Sequence, residues 1–107
     1  MNTISTQRRF EVLKDLFEAN KQSATLGELI RIQKELFSYN IKALVGLRQE
    51  TGYFTAETFI YNYEKATAGK PHFDRVFSPF GFATYEEALK KSIEQGFDNF
   101  SITQPKI

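Results

Sequence analysis

Hydrophobic residues recur at helical spacing in the first third of the chain. Between Gln7 and Asn20 one face of such a helix carries Phe10, Leu13, Leu16 and Phe17, which predicts an amphipathic helix over these residues. A second helix is predicted from Leu26 to about Tyr39, because Thr25 and Glu28 have the spacing of a capping box and an apolar face follows. Asn40 is the predicted stop.

The pattern then changes to one typical of strands. Ile41 to Arg48 and Tyr53 to Tyr63 are short, apolar and rich in β-branched and aromatic residues, and Gly52 supplies the turn between them. His72 to Phe77 predicts a third strand. The run Ser78 to Gly81 contains proline and glycine, so we expect it to end that strand.

The closing helix carries the clearest local signal. Thr84 and Glu87 form a second capping box, so the helix is predicted to begin at Tyr85. One face repeats every four residues: Tyr85, Leu89, Ile93 and Phe97. Gly96 weakens a helix, so we expect fraying or an end near it, followed by a loose tail over residues 101–107.

The predicted order is α-α-β-β-β-α, an α+β fold with an antiparallel three-stranded meander packed against helices. The 107 residues make one domain. Within it, residues 26–100 form an α-β-β-β-α unit and residues 7–20 an additional helix. That helix either covers the core of its own chain, the favoured alternative, or forms a homodimer or a partner site.

Aromatic residues are abundant, with 11 Phe, 5 Tyr and no Trp. Phe59, Tyr61 and Tyr63 share one face of the second predicted strand, joined by Phe73 and Phe77. We expect the helices to cover this stripe as core; on an open sheet it would instead stack bases, as in single-strand binders.

The run from Pro79 to Phe82 also has two interpretations, one as core and one as a partner-binding surface. Its two phenylalanines, Phe80 and Phe82, either plug the core under a tight turn, which is favoured, or form an exposed anchor for a partner.

Charge and cysteine content exclude several functions. Fourteen basic and 13 acidic residues leave a net charge of +1, which gives no general attraction to nucleic acid or an anionic membrane but leaves room for a local basic patch. The absence of cysteine excludes disulfides, thiolate catalysis and Cys-ligated zinc. No apolar run resembles a signal peptide or a membrane span, so a cytoplasmic protein is expected. The sequence has no P-loop, G-x-G-x-x-G or EF-hand spacing, so no cofactor is expected.

The candidate catalytic groups are few. His72 is the single histidine, and Asp74 lies on the same face of its strand, but no nucleophile motif accompanies them. Glu86 and Glu87 are explained by capping the closing helix, and the second carboxylate pair, Glu94 with Asp98, by a solvated helix face. We therefore expect a protein that is not an enzyme.

Two resemblances cover the region from about Leu26 to Phe100. The closing-helix motif F-x-T/S-Y-E-E-A, here Phe82, Thr84, Tyr85, Glu86, Glu87 and Ala88, resembles a loose group of small uncharacterised proteins of gut Bacteroides and their phages. That resemblance implies an accessory role on a mobile element. The α-β-β-β-α order is similar to the double-stranded-RNA-binding domain, which grips phosphates with a basic start of its closing helix. Glu86 and Glu87 occupy that position here, so double-stranded RNA is not an expected ligand.

The sequence thus predicts a non-enzymatic binding or interaction module, accessory or regulatory in role, whose partner is a protein. A nucleic-acid-binding protein with a double-stranded-RNA-binding-like fold is the alternative. The candidate partner-binding residues are aromatic: Phe80, Phe82, Tyr61, Tyr63, Phe10 and Phe17.

Overall fold

Helices and strands follow one another in the predicted order. The computed structural model of the protein describes residues 3–62 and 65–103. Its elements are α1 (Thr3–Asn20), α2 (Leu26–Phe37), β1 (Ile41–Leu47), β2 (Phe54–Tyr61), β3 (Phe73–Phe82) and α3 (Tyr85–Thr103). The α+β fold with an antiparallel meander is confirmed. Among the described residues, none of the helices has the length and apolarity that crossing a membrane requires.

The capping residues fix where two helices begin. At the start of α2 the Thr25 Oγ1 accepts from the Glu28 backbone N–H at 3.2 Å, and the Glu28 carboxylate accepts from the Thr25 N–H at 2.9 Å. At the start of α3 the Thr84 Oγ1 accepts from the Glu87 N–H at 3.1 Å. Both predicted starts are therefore confirmed. After α2, Asn40 has a φ of 62°, the left-handed conformation that turns the chain into β1.

Three predicted boundaries are wrong. α1 begins at Thr3, four residues before the predicted start at Gln7. β3 does not stop at Phe77 but runs to Phe82, because an irregular register absorbs the proline-containing run: a step of two residues, Phe54 to Ala56, faces a step of four, Ser78 to Phe82. α3 continues through Gly96 to Thr103, so residues 101–103 belong to a helix and not to a loose tail.

The helices cover one face of the sheet, whose strand order is β1-β2-β3. The buried cluster between the layers contains residues of every described helix and strand except β3. Val76 of β3 packs at its margin. Its members are Phe10, Phe17, Leu29, Leu36, Ile41, Ala43, Ile60, Leu89, Ile93 and Phe97. The apolar stripe predicted for α3 is thus core, apart from Tyr85, which is 41% exposed.

The additional helix α1 belongs to this core. The Phe97 ring lies 5.3 Å from the Phe10 ring and 5.4 Å from the Phe17 ring, between centroids. Just after α1, Lys21 Nζ lies 3.3 Å from a Glu94 carboxylate oxygen of α3. The favoured alternative, in which α1 covers its own chain, therefore holds for both phenylalanines.

Candidate binding surface on the open sheet face

The aromatic stripe of β2 lies on the side of the sheet that faces away from the helices. Thr58 and Ile60 are buried, at 0% and 2% exposure, and they point toward the helical layer. Since side chains alternate along a strand, Phe59 and Tyr61 point the other way, and both are half-buried. The expectation that helices cover this stripe is wrong, and Tyr63 lies outside the described residues.

We call this side the open sheet face and define it by the outward-pointing residues of the three strands. Register places Lys42 opposite Phe59, Phe59 opposite Arg75, and Tyr61 opposite Phe73. Its members are Lys42, Leu44, Gly46, Thr55, Glu57, Phe59, Tyr61, Phe73, Arg75 and Phe77. Thr55, which lies opposite Gly46, is buried at 5% exposure, and each of the other side chains is at least partly exposed.

Two cations lie over aromatic rings on this face. Lys42 Nζ is 4.4 Å from the centroid of the Phe73 ring, and the Arg75 guanidinium carbon is 4.6 Å from that of Phe77. Phe73 in turn meets the Tyr61 ring edge to face at 5.3 Å. Such cation–π contacts contribute about 0.5–1 kcal/mol each at exposed sites, so positive charge is held directly beside the rings.

One carboxylate shares the face. Glu57 Oε2 lies 3.2 Å from Arg75 Nη2, in a partly exposed ion pair. Lys42 has no such carboxylate partner among the described residues. The open sheet face therefore combines half-exposed rings with a net positive charge.

A buried polar network sets this orientation from the opposite side of β2. The Thr58 hydroxyl lies 2.8 Å from the Ser92 carbonyl and 2.9 Å from its hydroxyl, and it accepts from Gln95 Nε2 at 3.1 Å. Gln95 also donates to the Val76 carbonyl of β3 at 3.1 Å. A one-residue slip of β2 would bury Phe59 and leave these groups without partners, which costs about 1–3 kcal/mol for each unsatisfied group.

Sequence reasoning missed this network. The available signal was the alternation of β2, which puts Thr58 and Ile60 on one face, combined with two polar residues, Ser92 and Gln95, beside the apolar stripe of α3. Threonine opposite a small polar residue on a packed helix face indicates a buried hydrogen bond.

The other predicted partner residues divide into exposed and buried. Phe80 is 75% exposed, so the exposed-anchor alternative describes it and the favoured core plug does not. Phe82 is half-buried and lines a groove with Lys91 and Glu94. Phe10 and Phe17 are 5% and 1% exposed, so neither offers its ring to a partner.

The candidate catalytic groups do not form a larger site. His72 Nε2 lies 3.4 Å from Asp74 Oδ1, and Asp74 also accepts from the Asn62 amide at 2.8 Å. Among the described residues, no serine hydrogen-bonds to either member of the pair, and no three His, Asp or Glu side chains come together as metal ligands do.

Glu94 pairs with lysines and not with Asp98. Its carboxylate accepts from Lys91 Nζ at 3.0 Å and from Lys21 Nζ at 3.3 Å. These two bonds, that to Lys91 above all, lower the pKa of Glu94 below its ordinary value. The carboxylate is therefore a structural ion-pair member that ties α3 to the end of α1.

Comparisons with protein-family models, with curated proteins and with solved structures found no match to this chain.

Proposed function

We propose that this protein is a non-enzymatic binding module whose open sheet face binds single-stranded nucleic acid. The observation that carries the proposal is the outward orientation of Phe59 and Tyr61, with Lys42 and Arg75 on neighbouring strands. Proteins that bind single strands without sequence preference combine aromatic platforms with a positively charged track for the backbone.

The arrangement supplies both parts of that chemistry. Phe59 lies at the centre of the sheet, between Lys42 of β1 and Arg75 of β3, so a base stacked on its ring has a cation on either side. The two cations rest on rings and not in buried ion pairs. Movement of Lys42 toward a phosphate therefore gives up only a weak cation–π contact, whereas Arg75 also gives up its partly exposed ion pair with Glu57, which is worth about 0–1 kcal/mol.

Single strands fit this surface better than duplexes. Stacking on a side chain needs a base whose face is free, which a paired and stacked duplex does not offer. The start of α3, where a double-stranded-RNA-binding domain is basic, carries the exposed Glu86 and Glu87. These carboxylates repel the phosphates that such a domain would contact.

The test is fluorescence anisotropy of a labelled oligothymidylate at several salt concentrations. We expect salt-dependent binding, and Tyr61→Ala should weaken it by about 5- to 150-fold, equivalent to about 1–3 kcal/mol for one stacked base. Tyr85→Ala is the matched control, because that tyrosine is 41% exposed but lies at the start of α3, on the helical side of the molecule.

A second substitution separates stacking from apolar contact. Phe59→Leu keeps a large apolar side chain and removes the ring, so affinity should fall if the base stacks. Replacing Lys42 by glutamine should reduce the slope of log affinity against log salt by about 0.7, the value for one phosphate contact on a single strand. No binding at physiological salt, or full affinity in both Phe59→Leu and Tyr61→Ala, would disprove the proposal.

A homodimer through α1 is a separate proposal, favoured by one observation. Leu16 is 56% exposed and lines an apolar groove of about 310 Å³ between α1 and α2, whose margin carries Glu28, Arg31 and Glu35. A second copy related by a two-fold axis would bring the same exposed leucine to this groove. Light scattering that shows a dimer for the natural chain and a folded monomer for Leu16→Glu would support it, and a monomer at every concentration would exclude it.

A further inference from the structure

The two edges of the sheet differ in how they are protected. β3 contains Pro79, which has no N–H to offer, and its register is irregular next to that residue. Both features discourage another strand from pairing with it. β1 has neither proline nor irregular register. It therefore presents a regular edge to any extended segment that approaches.

The alternation of hydrogen bonds between β1 and β2 shows which backbone N–H and carbonyl groups of β1 face outward. The Asn40 carbonyl accepts from the Tyr61 N–H at 3.1 Å, and the Arg48 N–H donates to the Tyr53 carbonyl at 2.9 Å. In an antiparallel pair these bonds recur at every second residue, so the even-numbered residues of β1 bond to β2. The N–H and carbonyl groups of Ala43, Val45 and Leu47 consequently point away from the sheet.

The side chain of Gln33 confirms that the backbone groups of the odd-numbered residues point outward. Its Nε2 donates to the Ala43 carbonyl at 2.6 Å, which is accessible to α2 only if it points outward. Val45 and Leu47 have no comparable partner for their outward groups within the described part of the chain. Two consecutive pairing positions are thus open, and a third is occupied by a side chain that a backbone donor can replace.

An apolar groove runs beside this edge. It has a volume of about 330 Å³ and is lined by Gln33, Lys34, Phe37, Lys42, Ala43 and Leu44. Phe37 is 61% exposed and Leu44 is 43% exposed. An extended segment paired with β1 would place alternate side chains toward this groove, which is how strand addition combines backbone bonds with side-chain recognition.

Charge identifies the occupant. The described lining carries two ammonium groups, Lys34 and Lys42, and no carboxylate, and Arg48 follows the end of β1. The nearest acids along the chain are Glu35, on the exposed side of α2, and Glu50, in the turn beyond Arg48. Across the sheet, Glu57 lies opposite Leu44, but its carboxylate is paired with Arg75. A partner with acidic side chains is therefore complementary to this edge.

The same charges disfavour a second copy. If two β1 strands paired antiparallel about Val45, Lys42 of one copy would lie opposite Arg48 of the other. Like charges directly opposite each other in a sheet are destabilising. We propose that the β1 edge binds an extended, acidic segment of a protein partner as a fourth strand, with its apolar side chains in the groove beside Phe37.

The probe is a labelled synthetic peptide of alternating glutamate and valine, with a lysine–valine peptide as its charge-reversed counterpart. Anisotropy titrations should show binding of the acidic peptide and at least about tenfold weaker binding of the basic one. Methylating the amide nitrogens along one edge of the acidic peptide removes its pairing donors, and this change should abolish binding. Equal binding of both peptides, or of the methylated and unmethylated forms, would overturn the proposal.

Matched variants locate the site. Leu47→Pro removes an outward N–H without removing a bond to β2, so the domain should stay folded while peptide binding is lost. Leu47→Ala, which keeps the N–H, should retain most of it, and Phe37→Ala should weaken binding by about tenfold. Circular dichroism verifies the fold of each variant. Peptide binding that survives in folded Leu47→Pro would refute strand addition.

The oligonucleotide proposal is tested independently. Phe59→Leu should leave peptide binding unchanged, and Leu47→Pro should leave oligothymidylate binding unchanged. A peptide that loses affinity only in Phe59→Leu would show that it binds the open sheet face, and the β1 edge would then not be its site.

Discussion

Replacing Gly96 by alanine should destabilise the protein, although helix interiors usually favour alanine over glycine. In a helix interior, alanine is favoured over glycine by about 1 kcal/mol. Gly96 is buried where α3 crosses the sheet, and a Cβ there would lie 2.9 Å from Ile41 Cγ2 and 3.5 Å from Leu36 Cδ1. Carbon atoms in contact normally lie about 3.5–4.0 Å apart.

Ile41 cannot move away from an added Cβ without a cost in free energy. Ile41 is fully buried, and its Cγ2 is attached directly to Cβ, so only a change of χ1 or of backbone position would make room. Overpacking of this kind costs about 1–3 kcal/mol, which equals or exceeds the helix preference of about 1 kcal/mol. We therefore expect a net loss of about 0–2 kcal/mol in the free energy of unfolding.

Gly27 provides the matched control. It lies in the first turn of α2, and a Cβ there meets only Thr25 Oγ1, at 3.9 Å. Gly27→Ala should stabilise the protein, by up to about 1 kcal/mol. Urea denaturation of both variants measures the difference, and equal stabilisation by the two substitutions would refute the close-packing argument.

A double mutant tests the named contact. Ile41→Ala removes Cγ2 and by itself should destabilise the protein by about 2–5 kcal/mol. In that background Gly96→Ala should no longer destabilise, because the obstructing methyl group is gone. An unchanged penalty for Gly96→Ala would place the clash elsewhere.

Three further outcomes are expected. Thr84→Ala should lower stability by about 1 kcal/mol while Thr84→Ser retains most of it, measured by urea denaturation; an unchanged midpoint in Thr84→Ala would contradict the cap. Because lysine partners lower the folded-state pKa of Glu94, its contribution to stability is present above the unfolded pKa and is lost as pH falls through the folded pKa. Glu94→Gln should therefore flatten the acidic limb of stability against pH, and an identical limb would exclude this role. In a mobility-shift assay at physiological salt, an RNA duplex should not be retained, and tight, salt-dependent retention would overturn the argument from Glu86 and Glu87.

Local signals in the sequence were sufficient for the order of the elements and for the helix starts. Thr25 and Thr84 act within one helical turn, so their caps could be predicted without knowledge of the packing. The ends of β3 and α3 depend on tertiary contacts. Pro79 is accommodated because β3 is an edge strand. The helix continues through Gly96, where Ile41 occupies the space that a Cβ would need.

The orientation of β2 could not be predicted from hydrophobicity alone. Phe59 and Tyr61 are larger and more apolar than Thr58, so the stripe of rings was expected to face the core. The helices instead receive Thr58 and Ile60, because Ser92 and Gln95 of α3 satisfy the threonine hydroxyl. The candidate surface was therefore found among the predicted residues, but on the face that sequence reasoning did not favour.

The two proposed surfaces share residues of β1, so binding at one surface should affect binding at the other. Lys42 and Leu44 belong to the open sheet face and also line the groove at the β1 edge. An acidic segment in the groove would neutralise Lys42, which the open face supplies to a phosphate. Each ligand should then weaken the affinity for the other, and thermodynamic linkage requires the two factors to be equal. Under the two proposals, a bound protein partner and a bound single strand would therefore oppose each other through Lys42.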